Sequence, residues 1–310
     1  MQVNPIRRIF RNGPPGAQLR LLALLVQENS GEAKAIMREL RKGLSETPEV
    51  ARILRRQRPD GTWPVDAPTP DTKGAAGQLV LLGLLENLHA LVHLGAHRNW
   101  PDVTRGLRAL LERQRPDGRF ALLYHHHASI GRLLMTLGQR NAPPVHRAAH
   151  WIAERQREDG GWLHPEMAGR RVRPPSCLWT TAEVLAFIAR YPSYRIKQRL
   201  PRAAEYLLEH ALEANSTTLL PDAGAWDVLA EGSQGQRLFQ GGTLKVLDGL
   251  SLAGSNPSNT TFKKLYTWLL DQQLDNGHFP RVAGRDREGD AWVTVRALEV
   301  IHRVETTRPV

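Results

Sequence analysis

The 310-residue sequence predicts an all-α repeat protein, and three observations support that class. A short motif, Gln-x-x-[Asp/Asn]-Gly-x-aromatic, recurs four times. Each copy follows a stretch with apolar residues at i, i+3 and i+4. Each is followed in turn by a more apolar helical stretch, so the repeating unit is a pair of helices.

The four copies are Gln57-Arg-Pro-Asp60-Gly61-Thr-Trp63, Gln114-Arg-Pro-Asp117-Gly118-Arg-Phe120, Gln156-Arg-Glu-Asp159-Gly160-Gly-Trp162 and Gln273-Leu-Asp-Asn276-Gly277-His-Phe279. Pro221-Asp222-Ala-Gly224-Ala-Trp226 reads as a fifth, degenerate copy without the Gln. Successive aromatics lie 57, 42, 64 and 53 residues apart, room for two helices and their connections. Gly stops the preceding helix by accepting a left-handed conformation, and Asp or Asn bonds the freed backbone groups. The ring covers apolar surface while the Gln amide bonds neighbouring backbone, so these residues are structural.

The second helices align on a leucine. Trp179-Thr-Thr181-Ala-Glu-Val-Leu185 matches Trp292-Val-Thr294-Val-Arg-Ala-Leu298, and His127-Ala-Ser129-Ile-Gly-Arg-Leu133 fits the same frame. The more polar helices begin at prolines, Pro101, Pro143-Pro144, Pro201 and Pro257, where a first turn tolerates the missing N–H. The predicted pairs are 46–57 with 73–95, 101–114 with 127–138, 144–156 with 177–190, 200–213 with 241–253, and 259–273 with 291–304. A hairpin over 18–29 and 31–43 makes a sixth pair. About six pairs suit a closed double ring, an α/α toroid; an open helical solenoid is the alternative. The expected organisation is a basic N-terminal segment (1–15), a helical hairpin (16–45) and a repeat region (46–304) that forms one domain with the hairpin.

Composition narrows the function classes. Apolar residues reach 41% and charged residues 24%, which argues for a packed core and against global disorder. The most apolar stretch, 75–95, carries Gln78, Glu86, Asn87, His89 and His93, so it reads as a buried helix and not a membrane span. The basic, Pro/Gly-rich start lacks an apolar core for a signal peptide, and a cytoplasmic location is expected. One cysteine, Cys177, allows no internal disulfide. The net charge is +11, and residues 1–60 hold 12 Lys/Arg against 6 Asp/Glu. That excess is compatible with nucleic acid or another acidic partner through Arg7, Arg8, Arg11, Arg52, Arg55 and Arg56, although a solvated face gives the same composition.

The four turns resemble the QW-type repeats of squalene and oxidosqualene cyclases and of protein prenyltransferase β-subunits, over about residues 46–304. The resemblance favours the toroid and implies inner helices around a central cavity that accepts an isoprenoid chain. The family's chemical signatures are missing. There is no Asp-x-Asp-Asp acid and no Asp-Asp-x-x-Asp metal motif, and only 19 aromatics occur in the chain. The resemblance therefore supports an apolar, isoprenoid-class ligand without supplying a catalytic residue.

One constellation stands out in the aligned inner helices. Cys177, two residues before Trp179, has Asp290, His125 and Asp71 as its equivalents. In a closed ring these would converge on one mouth of the cavity. Asp, Cys and His are also the zinc ligand types that the prenyltransferase resemblance implies, and a zinc-dependent transferase or hydrolase follows as an alternative function. The family's Asp-x-Cys element reads Pro175-Ser-Cys177 here, without its Asp. The plainer reading makes Asp71 and Asp290 helix caps, Cys177 a small buried side chain and His125–His127 a polar loop. Trp179 and Trp292 share one register and line the cavity or pack between helices. Arg170, Arg171 and Arg173 form a candidate anion-binding loop. His89 and His93, at i and i+4, have zinc-compatible spacing but no third ligand.

Overall fold

The computed structural model describes residues 4–25, 31–64, 76–168, 174–191, 193–211, 242–281 and 287–306. Asn4 starts the first helix, α1 (Pro5–Asn12), by accepting the N–H groups of Ile6 at 2.9 Å and Arg7 at 3.4 Å. The basic segment is thus helical, with Ile9 buried beneath exposed Arg7 and Arg11. α2 (Pro15–Leu25) and α3 (Gly31–Arg41) form the predicted hairpin. The repeat pairs follow as α4 (Pro48–Arg55) with α5 (Ala76–His93), then α6 (Pro101–Leu111) with α7 (Tyr124–Thr136) in sequence order. α8 (Pro143–Ala153) is followed by a single turn, α9 (Pro165–Ala168), and α10 (Leu178–Ile188). A second single turn, α11 (Tyr194–Lys197), leads to α12 (Leu200–His210) and α13 (Thr243–Leu252). α14 (Thr260–Asp271) and α15 (Ala291–Thr306) complete the series. Among the described residues there is no strand, only an isolated bridge between Phe279 and Asp290.

A helix stands at every predicted position. α14 begins three residues after Pro257, because Asn259 caps it by accepting the N–H of Phe262 at 3.0 Å. His125–His127 is not a polar loop. α7 already starts at Tyr124, and His126 and His127 are buried in it.

The chain divides into two compact units. The first comprises Met1–Gln114 with Phe120–Leu122 and Asp275–Gly277. Within it α5 packs against α2, α4 and α6, and its Leu84, Leu85, Leu88 and Leu91 are all buried. Its repeat turn is tied twice: Gln57 Nε2 donates to Gly61 O at 3.1 Å and to Asp102 O at 2.9 Å. Trp63 is buried and donates from Nε1 to Ile53 O at 2.8 Å.

The second unit holds Arg115–Arg119, Leu123–Leu274 and His278–Val310. α10 lies between α7 and α13, and α13 also packs on α15, so these four make an inner layer. α8, α12 and α14 pack against it from outside. Every residue of α10 is buried, which explains why it shows no amphipathic pattern. The turn of Gln156–Trp162 repeats the first unit's chemistry bond for bond. Gln156 Nε2 donates to Gly160 O at 2.8 Å and Arg199 O at 2.9 Å, and Trp162 Nε1 donates to Ile152 O at 2.7 Å. Asp159 accepts the N–H of Gly161 at 3.1 Å. It also holds Ser176, accepting its N–H at 2.9 Å and its hydroxyl at 2.7 Å. Gly160 has φ 88°, and a Cβ there would lie 2.4 Å from Arg202 O. Glycine is therefore required twice, for the left-handed backbone and for contact with the next outer helix.

Candidate functional site

The register inferred for the inner helices is correct at its best-aligned pair. The N–H of Cys177 donates to Trp162 O and that of Asp290 to Phe279 O, each at 2.9 Å. Both residues stand immediately before an inner helix, whereas His125 is the second residue of α7. Asp71 and the loop arginines Arg170, Arg171 and Arg173 lie outside the described residues.

Asp290 is a helix cap. Its Oδ1 accepts the N–H groups of Trp292 at 2.7 Å and Val293 at 3.0 Å, and its Oδ2 pairs with Arg281 at 2.6 Å. Cys177 is buried and unoxidised. Among the described residues no three His, Cys, Asp or Glu side chains come together where a metal could sit, so His125, Cys177 and Asp290 do not form a zinc centre with one another. A carboxylate already engaged by two backbone donors and a guanidinium is a poor metal ligand. His89 and His93 stack with centroids 6.4 Å apart, and among the described residues they belong to no group of three that could hold a metal.

Trp179 and Trp292, the second residues of α10 and α15, are both buried. Among the described residues, the indole Nε1 of Trp179 has no hydrogen-bond partner. A buried donor left unsatisfied costs about 1–3 kcal/mol. The arginines of the basic N-terminal helices are surface groups: Arg7, Arg11, Arg52, Arg55 and Arg56 are exposed and Arg8 is half-buried.

The most polar part of the inner layer was not singled out by the motifs. Glu183 (α10) accepts Ser129 Oγ at 2.8 Å and Arg132 Nη1 at 3.0 Å, and is in direct contact with Lys245 Nζ of α13. Arg132 (α7) reaches with Nη2 to Asp248 (α13) at 3.2 Å, so one guanidinium spans both carboxylates. Asp248 also pairs with Arg190 at 3.1 Å and Arg303 at 3.2 Å, and Arg296 lies 3.8 Å away. The carboxylates and Lys245 keep at most 6% side-chain exposure.

Electrostatics follows from the imbalance of charge. Burial would raise both carboxyls, but Arg132 and Lys245 hold Glu183, and Arg190, Arg132 and Arg303 hold Asp248, well below the usual carboxylate range. Lys245 is pushed down to about 8 by burial, which Glu183 only partly offsets because Arg132 and Arg296 add repulsion. The same positive field reaches the start of α7. Burial lowers His126 to about 4, with Lys245 adding to the effect, and His125 falls well below its usual value, with its ring centroid 4.1 Å from that of His126. His127 is lowered to about 4, by burial above all, while its Nε2 lies 3.0 Å from Ala148 O.

A sequence signal for this cluster exists. Glu183, Lys245 and Arg296 each stand two residues before the aligned leucine, and Arg190 and Arg303 each stand five after it. Charges recurring at one column of otherwise apolar helices are the mark of a buried network.

No protein-family model matches the chain, and no curated protein is similar to it in sequence. Among solved structures, the chain is similar to a glycosyl hydrolase family 88 protein from Bacteroides vulgatus, with a TM-score of 0.54 and 9% identity, covering 97% of each chain. A polysaccharide lyase matches with a TM-score of 0.53 and 13% identity, over 96% of this chain and 90% of the other. Type II terpene cyclase MstE from Scytonema, without ligand, matches with a TM-score of 0.48 and 13% identity, over 94% and 87%. Identities this low speak to architecture alone. Helices at every predicted position, an inner helical layer and likeness to the first two of these structures over nearly the whole chain make this an all-α protein of the α/α-toroid fold.

Proposed function

We propose that this chain binds an apolar ligand of the isoprenoid class, carrying an oxygen acceptor, at the N-terminal end of its inner helices. The observation behind this reading is the buried Nε1 of Trp179 on α10, which has no hydrogen-bond partner among the described residues, with Trp292 in the equivalent place on α15. Two large rings at one level of the inner layer suit an apolar chain, and the indole N–H suits its oxygen. The resemblance of the repeat turns to those of isoprenoid-handling toroids points the same way. The sequence has neither an Asp-x-Asp-Asp nor an Asp-Asp-x-x-Asp motif, so the proposal is confined to binding.

Titration with farnesol and geranylgeraniol, followed by tryptophan fluorescence, tests the reading. Saturable quenching is expected, weakened about tenfold in Trp179→Phe, which keeps a ring and removes the donor. Absence of saturable binding by either alcohol would overturn it.

A further inference from the structure

A concavity of about 480 Å³ lies on the outer layer of the second unit, where α11 packs against α8 and α12. That volume is in the range of small-molecule sites. Ala153 and Ile196, both buried, supply apolar lining, and His150, Glu154, Arg199 and Arg202 supply polar groups. The His150 ring packs against His146 and Tyr191, with centroids 4.5 and 6.1 Å away. Among the described residues Glu154 pairs with neither arginine, and the Arg199 guanidinium has no hydrogen-bond partner.

The other repeats show what completes such a place. Each turn glycine faces one arginine of the next outer helix: Gly61 faces Arg105, Gly118 faces Arg147 and Gly160 faces Arg202. Those arginines are equivalent, and so are the residues three before them, Asp102, Pro144 and Arg199. In the first repeat the Asp102 carboxylate accepts from Arg105 Nη2, which also donates to Gln57 Oε1 at 3.1 Å. In the second, uncharged Pro144 stands there; in the third, a cation does. Arg202 Nη2 turns instead to the carbonyl oxygens of Glu158 and, at 3.5 Å, Arg157. Gln156 Oε1, the counterpart of Gln57 Oε1, is buried with no hydrogen-bond partner among the described residues. A carboxylate supplied from outside restores the arrangement of the first repeat and meets two guanidinium groups there.

We propose that this concavity binds a small organic carboxylate with an apolar or aromatic body. Guanidinium forks match the paired oxygens of a carboxylate. His150, Ala153 and Ile196 receive the body of the molecule. With the ligand carboxylate in the place of Asp102's, Arg202 takes up the arrangement of Arg105 and donates to Gln156 Oε1. Binding thereby satisfies a buried acceptor. Trp179 does not line this concavity, so the proposal does not depend on an apolar ligand in the inner layer.

The experiment titrates the full chain with benzoate, its neutral counterpart benzamide and phenyl phosphate at constant ionic strength, read by calorimetry and saturation-transfer NMR. Saturable benzoate binding is expected, weakened about tenfold in Arg199→Gln and in Arg202→Gln, the effect of losing one charge-assisted hydrogen bond. The exposed control Arg108→Gln should bind like the parent. Arg199→Asp is the decisive variant. It rebuilds the internal carboxylate of the first repeat, so it should abolish benzoate binding and melt no lower than the parent. A parent protein without saturable benzoate binding overturns the proposal, as does a folded Arg199→Asp variant that binds like the parent. Equal binding of benzamide shows that charge is not read and overturns it too. Tighter binding of phenyl phosphate than of benzoate overturns the carboxylate assignment. Hydrogen exchange of the parent gives a reading that needs no variant. Benzoate should slow exchange at the end of α8 and the start of α12, and protection confined to other helices overturns the assignment. None of the probes carries an isoprenoid chain, so failure here is distinct from failure of the apolar-ligand reading.

Discussion

The hydroxyl of Thr181 accepts the backbone N–H of Trp162 at 3.0 Å, and Thr294 does the same for Phe279 at 2.9 Å. Each bond fixes the aromatic of a repeat turn to the first turn of the inner helix that follows it. Both threonines are buried, so no water replaces the acceptor if it is removed. Thr181→Val should destabilise the protein by about 1–3 kcal/mol, the cost of orphaning a buried donor. Thr181→Ser, which keeps the hydroxyl, should cost less. Urea unfolding of the two variants checks the order.

Trp162→Ala should lose about 3–5 kcal/mol, because it empties a fully buried site and removes the bond to Ile152 O. On left-handed strain alone Gly160→Ala would be the milder change. The backbone of Arg202 alters that expectation, since the new Cβ would lie 2.4 Å from its carbonyl oxygen. Strain and overpacking together should bring the loss to about 2 kcal/mol or more. Equal melting of Gly160→Ala and the parent would contradict this packing.

Glu183→Gln leaves Lys245 and one arm of Arg132 buried opposite a neutral amide. The expected loss is about 3–5 kcal/mol. Pairing it with Lys245→Met removes the stranded charge, so the double variant should be more stable than the sum of the single losses indicates. A double-mutant cycle in urea measures the coupling.

Acid should weaken the fold well before the carboxylates titrate. The folded chain holds His126 and His127 neutral down to about pH 4, whereas the unfolded chain protonates them near 6.5. Between those values the unfolded state binds more protons, so stability falls as pH falls. The depressed carboxyls of Glu183 and Asp248 add a further loss, which begins only below about pH 4.5, where their unfolded forms take up protons. Chemical denaturation at several pH values should show the first decline between about 6.5 and 4, and His127→Gln should flatten it.

The architecture was legible because its determinants are local. Asp159, Gly160 and Trp162 announce a turn by residue type, and the leucine frame of α10 and α15 places Cys177 and Asp290 in equivalent bonds. Asp290 was chemically ambiguous in sequence, since a carboxylate before a helix suits both capping and a metal. The N–H groups of Trp292 and Val293 decide for capping. The ionic cluster was harder to read because its pairs are remote: Arg132 and Asp248 are 116 residues apart. A lone charge in an apolar helix looks like a solvated face until its partner helix is alongside.

The bonds of Gln57 and Gln156 also set an order of events. Each closes its own turn and then reaches the start of the next outer helix, 45 residues on at Asp102 and 43 residues on at Arg199. A turn emerging from the ribosome is therefore unfinished until its successor has been synthesised. Each repeat acts as the template on which the one before it sets, and a chain halted after Trp162 would leave its last turn open.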